Sequence, residues 1–120
     1  MNALFSADEH RFGIHAGEIE TSMMLALAPE RVDMAQAQNF ASSSQDRARC
    51  FDILGNGKSA KLGWQMQDYN PAGAVGNAAG ATADKGRAVV DAAGRALAQL
   101  LAEMDELPPD TLVDWPGVSV

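Results

Sequence analysis

The chain has 120 residues, 47% of them hydrophobic but only 6% aromatic, and carries a formal net charge of −7 from 16 acidic against 9 basic side chains. That length holds one domain at most. The acidic balance, without any Lys/Arg run, excludes a nucleic-acid or anionic-membrane partner, and no stretch approaches the ~20 apolar residues of a transmembrane helix.

The first residues include Asp8, Glu9 and His10 and lack the apolar core of a signal peptide. Residues 1–14 show no clear period and read as an irregular or short helical lead-in. A helix is predicted from Glu18 to just before Pro29, with Ile19, Met23 and Leu27 on one stripe and Met24 widening it. Residues 30–50 are weakly patterned: Ala41-Ser42-Ser43-Ser44 reads as loop, and Gln45 to Phe51 as a short helix or an extended piece. The lone Cys50 fits a reducing, cytoplasmic setting and is expected to be a buried or half-buried small hydrophobe.

Between Ser59 and Tyr69 the pattern alternates, Leu62, Trp64 and Met66 against Gln65 and Gln67, which is the period of a half-buried strand. With the Gly55-Asn56-Gly57 turn before it, this predicts a β-hairpin from Phe51 to Tyr69. Asn70-Pro71-Ala72-Gly73 ends it, and a Gly/Ala-rich loop leads to Ala81. A second helix is predicted from the N-cap Thr82 to Leu107, ahead of Pro108-Pro109, with Val89, Val90, Ala93, Leu97, Leu100, Leu101 and Met104 forming an apolar stripe. Gly86 and Gly94 each cost that helix up to ~1 kcal/mol relative to Ala, and close packing on a neighbour is the expected compensation. Residues 108–120, with Trp115 and Pro116, read as an extended tail of the same single domain.

The chemistry concentrates in His15-Ala16-Gly17-Glu18-Ile19-Glu20-Thr21-Ser22. Ala16 and Gly17 let the backbone turn sharply ahead of the first helix, and acidic residues in that helix's first turn suit its positive end. His15, Glu18 and Glu20 are the candidate functional groups, because an imidazole beside a carboxylate suits proton transfer near neutral pH. A metal site from His10, His15, Glu18 and Glu20 is not expected, since their spacing does not make three or four donors converge. Gly57-Lys58-Ser59 imitates the end of a phosphate-binding loop, but Asp52 stands where that loop needs glycine.

His15, Gly17, Glu20, Thr21 and Ser22, followed by Met24-Leu25-Ala26-Leu27 and Pro29, resemble the C-terminal signature of the creatininase (creatinine amidohydrolase) family. Ala81 to Gly86 resembles the entry to the same family's last helix, so the likeness takes in residues 10–106. The resemblance implies an α/β chain, the C-terminal part of an α/β/α creatininase-like fold with two main helices plus a β-hairpin. It implies metal-dependent hydrolysis of amide or cyclic-amide C–N bonds in a small-molecule substrate, and a ring-like homo-oligomer. His15 would be the proton shuttle and Glu20 its orienting partner, while Gly17, Glu18 and Asp68, the last with Asn70 and the Gly73–Gly76 loop, would contact substrate. Family members hold two divalent metals (Zn or Mn) through an E-x-H pair, an Asp and an H-x-E. None of those motifs occurs in this chain. The resemblance therefore implies a partial domain, the C-terminal half of such an enzyme, binding no metal alone and partnered by further copies or a missing N-terminal half. The alternative is a non-catalytic fragment or assembly subunit of such an enzyme.

Overall fold

The computed structural model describes residues 3–113 and places five α-helices and a two-stranded antiparallel sheet along them, an α/β arrangement. The helices are α1 (Ala7–Phe12), α2 (Glu18–Leu27), α3 (Ser44–Cys50), α4 (Met66–Tyr69) and α5 (Ala83–Asp105). Strand β1 (Asn39–Phe40) pairs with β2 (Gly76–Asn77), Asn39 opposite Asn77 and Phe40 opposite Gly76. Among the described residues no helix is long and apolar enough to cross a membrane.

The two main helices form where the sequence places them, and a missing side chain decides how they meet. α2 starts behind the extended residue Gly17 and stops at Leu27, before the proline that cannot continue it. α5 is entered through Thr82, whose hydroxyl accepts from the Lys85 N–H at 3.3 Å. The Thr82 N–H in turn donates to Ser22 Oγ of α2 at 3.1 Å, and Ser22 is completely buried. Gly86 then lies directly on the Ser22–Met23 main chain, so closely that a Cβ would overlap it. This is the close packing expected of Gly86. Gly94 has none: nothing lies within 4 Å of where its Cβ would be, because α5 is exposed to solvent from Ala93 onward.

The apolar core is correspondingly small. Val75 is fully buried, with Phe5, Phe12, Tyr69, Ala78 and Ala81 nearly so. The distal half of α5 lies outside it, with Leu97, Leu100, Leu101 and Met104 each more than half exposed.

The expected hairpin at 51–69 is not formed, and the sheet lies elsewhere, between residues 39–40 and 76–77. The Gly55-Asn56-Gly57 turn is real, with Gly55 and Gly57 at positive φ, but it closes on itself through Gly55 N–H to Ala60 O (2.9 Å) and Ala60 N–H to Ile53 O (3.1 Å). The alternation at Leu62, Trp64 and Met66 is overridden by capping chemistry. Gln65 and Asp68 form a reciprocal capping box that starts α4, the Gln65 N–H donating to Asp68 Oδ2 at 2.8 Å. Leu62 and Trp64, left without a partner strand, stay over two-fifths exposed. Lys58 of the false phosphate loop directs its ammonium to the Ala48 and Phe51 carbonyls at the end of α3. Cys50, expected to be at least half-buried, is exposed on the last turn of α3. Residues 109–111 of the expected tail form an exposed 3-10 turn, while Trp115 and Pro116 lie outside the described residues.

The two helix glycines give opposite expectations. Gly86→Ala overpacks the α2–α5 crossing and is expected to destabilise by ~1–3 kcal/mol, whereas Gly94→Ala is expected to stabilise by ~0.5–1 kcal/mol. Denaturant unfolding of both variants checks the contrast. Replacing Leu97, Leu100 and Met104 by glutamine is expected to abolish binding of a hydrophobic dye while shifting stability by under ~0.5 kcal/mol per site.

Candidate functional site

The segment before α2 is fixed to the strand side of the fold by backbone bonds. The Val75 N–H donates to the His15 carbonyl at 2.7 Å, and the Ile14 and His15 N–H groups both donate to the Val75 carbonyl, at 2.9 and 3.3 Å. The chain then turns at Ala16, the one non-glycine residue at positive φ (52°) among those described. A left-handed alanine costs ~1–2 kcal/mol, and such strain persists only where the surroundings impose it.

Here they do. Glu20, in the first turn of α2, reaches back so that its Oε2 accepts from the Ala16 N–H at 2.6 Å. The same oxygen lies 3.4 Å from His15 Nδ1. Thr21 donates from its hydroxyl to the Ala16 carbonyl at 3.3 Å. The turn thus sets an imidazole and a carboxylate side by side, with side chains 59% and 50% exposed. A pair that open to water stabilises the fold by only ~0–1 kcal/mol, so folding does not require it.

His15 and Glu20 line a cavity of about 390 Å³, within the range of small-molecule sites. Its apolar wall comes from Met24, Val32, Phe40, Ala74 and Ala78, and its polar groups include Arg31, Asp33 and Gln36. Arg31 and Gln36 arrive on the 3-10 turns Pro29–Arg31 and Met34–Gln36, and Asp33 on the two-residue link between them. They were not anticipated, because residues 30–50 carry no hydrophobic period. The one available signal was the charged cluster directly after Pro29.

The remaining sequence candidates do other work. Gly17 gives backbone only and is buried, packed against the main chain of Val75 and Gly76. Glu18, expected to face substrate, is buried instead, its carboxylate paired with the Lys85 ammonium, which also donates to the Gly80 carbonyl at 3.1 Å. It stands at the first position of α2, where a buried anion meets the helix N-terminus and the nearest cation of α5. The Asp68 carboxylate caps its own helix and is not among the residues lining the His15 cavity. Asn70 stabilises a turn, donating to the Ala41 carbonyl at 3.0 Å and accepting from the Ala72 N–H at 2.9 Å. From the Gly73–Gly76 loop, Ala74 does reach the cavity.

The donor set for a divalent cation does not fit these residues. Among the described residues no three His, Cys, Asp or Glu side chains converge. His10 lies edge-on to Phe5, with ring centroids 6.0 Å apart, and Glu18 is committed to Lys85. Only His15 and Glu20 stand together, and a metal needs more than two protein ligands held by an ordered surround.

Two comparisons bear on this site. The family model Creatininase (creatinine amidohydrolase) matches residues 1–101. The fold is similar to the crystal structure of a Bacteroides fragilis NCTC 9343 protein provisionally assigned as a creatinine amidohydrolase, with TM-score 0.66 and 29% identity. That likeness takes in 90% of this chain and 40% of the other, so the chain spans well under half the length of the structure it matches. A comparison with curated proteins finds no match.

Ala16→Gly removes the left-handed penalty and is expected to stabilise by ~0.5–1 kcal/mol, leaving the backbone of the turn in place. Lys85→Met strands the Glu18 carboxylate in a mostly buried site and is expected to cost ~3 kcal/mol. Chemical denaturation measures both, and a neutral Lys85→Met would mean that the pair is water-screened.

Proposed function

The chain belongs to the creatininase family, and from that premise we propose that the His15–Glu20 cavity is the proton-transfer part of an amidohydrolase site acting on an amide or cyclic-amide C–N bond. The observation that carries this reading is the strained turn at Ala16, which sets His15 Nδ1 3.4 Å from Glu20 Oε2 on the wall of a small-molecule cavity. Hydrolysis adds the oxygen of water to the carbonyl carbon and breaks the C–N bond, and the leaving nitrogen needs a proton to depart as a neutral amine. With Nδ1 turned to Glu20, Nε2 of His15 is the nitrogen left to take a proton from the attacking water and deliver it to the leaving nitrogen. Glu20 holds the ring's orientation and balances its charge when it is protonated. The apolar wall holds the carbon skeleton of the substrate.

The divalent metal (Zn or Mn) that the family implies has no donor set among the described residues, and no step assigned to His15 or Glu20 passes through it. On this reading the chain is a partial unit, completed by further copies of itself or by a second chain carrying the remaining part of the fold. The exposed apolar half of α5 and the 40% span of the structural relative support that view. A cytoplasmic setting belongs to the same reading, supported by the single free cysteine. The missing donor set favours one alternative, an assembly subunit that handles no substrate itself.

Titration with creatinine or a simple amide is expected to shift the backbone amides of Ala16, Thr21, Ala74 and Ala78 in nuclear magnetic resonance spectra, and those of α3 far less. Shifts confined to other surfaces would favour the assembly subunit. In an intact, metal-bearing relative, alanine at the counterpart of His15 is expected to lower kcat by ~10²–10⁴. Glutamine at the counterpart of Glu20 should act in the same direction, and the two losses should be less than additive because the groups work together.

A further inference from the structure

We propose that Glu9 is the positioning residue of the His15–Glu20 pair, its buried carboxylate locking together the two backbone segments that flank the strained turn at Ala16. The proposal rests on the hydrolase reading for its purpose, while its geometry involves no substrate.

Glu9 is 6% exposed, and among the described residues it takes part in no salt bridge. Its two oxygens are used on main chain from different parts of the fold. Oε1 accepts from the Glu18 N–H at 2.6 Å, and Oε2 accepts from the Asn77 N–H at 2.9 Å. Glu18 is the first residue of α2, two residues beyond Ala16. Asn77 closely follows Val75, the residue to which His15 is bonded. One carboxylate therefore ties the segment leaving the turn to the strand that holds the segment entering it.

Three glycines let these backbones close around it. A Cβ on Gly13 would lie 2.8 Å from Oε1, and one on Gly76 would lie 2.9 and 3.0 Å from the two oxygens. A Cβ on Gly17 would also collide with Oε1, and Gly76 approaches so near that its Cβ would sit 2.6 Å from the Gly17 Cα. Any side chain at these places would push the carboxylate off its donors.

The chemistry of the residue type points the same way. Two N–H donors converge, so the group between them must accept twice and donate nothing, which a carboxylate does and an amide does not. A residue needed only to fill space would be apolar, since burying an unpaired charge is unfavourable unless hydrogen bonds require it. Ala16 sits between the His15–Val75 bonds on one side and the Glu9 clamp on the other, with Glu20 closing it from the cavity side. Apart from the clamp, no hydrogen bond among the described residues joins Gly17 or Glu18 directly to β2. If it opens, packing of Gly17 on Val75 and Gly76 is what remains there, and the left-handed turn that aims His15 at Glu20 relaxes.

The test reads the turn itself. In the unliganded chain, two signals report it: the low-field amide proton of Ala16, from its short bond to Glu20, and the nuclear Overhauser contact between the His15 ring and the Glu20 methylenes. The sequence holds two histidines, so His10→Gln assigns the ring signals. Glu9→Gln is expected to lose both signals at a temperature where helix content is retained. Ser6→Ala removes the α1 cap, in which Ser6 Oγ accepts from the Glu9 N–H at 3.0 Å, and lowers stability without touching the carboxylate. It is expected to keep both signals, which a merely structural role for Glu9 would also require of Glu9→Gln. If Glu9→Gln does not fold, Gly13→Ala, whose Cβ would meet both the Glu9 carbonyl (2.6 Å) and Oε1 (2.8 Å), is read in the same way. A wild-type Ala16 amide and His15–Glu20 contact in the folded Glu9 or Gly13 variant overturns the proposal. Neither measurement involves substrate, so its failure is separate from failure of the hydrolase reading.

Discussion

A buried carboxylate that pairs with no cation among the described residues, Glu9, is the constraint on which the arrangement around the cavity depends. Taking an ion of this kind out of water costs several kcal/mol. Its two charge-assisted hydrogen bonds, to the Glu18 and Asn77 N–H groups, each return ~1.5–3 kcal/mol. The position at the start of α2 adds the favourable field of a helix N-terminus, ~1 kcal/mol. The terms balance closely only because both oxygens are used and the backbone packs tightly around them. The site therefore depends on the glycines at 13, 17 and 76, which are the positions where a methyl group would enter that space.

From this point α2 relays order in two directions. Its N-terminal turn carries Glu20 and Thr21 back onto Ala16 and so fixes the cavity side of the fold. Its opposite face receives α5 through three different contacts: the Ser22 hydroxyl accepting from the Thr82 N–H, the Gly86 main-chain contact, and the Glu18–Lys85 pair. Consecutive acidic positions thus take unlike roles. Glu18 points inward and is neutralised by Lys85, whereas Glu20 points outward and stays half-exposed beside His15. An exposed, weakly stabilising pair on a strained backbone, held by a rigid buried layer behind it, is the division of labour expected where chemistry is presented to a ligand.

The same economy leaves α5 asymmetric. Its first turns are capped, ion-paired and packed, and its remaining turns expose a leucine-rich stripe to water. Helix propensity and continuity with a packed start keep those turns helical, but no element among those described buries their apolar face. In a family member that spans 40% of a longer relative, that stripe is surface which the rest of a larger assembly can bury.

The sequence by itself determined the local chemistry. Gly17 before Glu18 and the approach of Pro29 bound α2, Thr82 caps α5, and the order His15, Gly17, Glu20, Thr21, Ser22 carries the family likeness. Each of these depends on neighbours within a few residues. What only the tertiary structure decided are the features that need partners far along the chain. The alternation from Leu62 to Met66 had the right period for a strand, but no partner strand, and the Gln65–Asp68 capping box won locally. Asp68 was therefore drawn into its helix cap and away from the cavity. Glu9 looked like one more acidic residue in an unpatterned lead-in, because its partners Glu18 and Asn77 lie 9 and 68 positions away. Gly86 and Gly94 are indistinguishable within α5, yet one meets the main chain of α2 and the other meets solvent. A carboxylate's neighbours and a glycine's clearance are properties of distance in space, and sequence spacing determines those only within a helix turn or two.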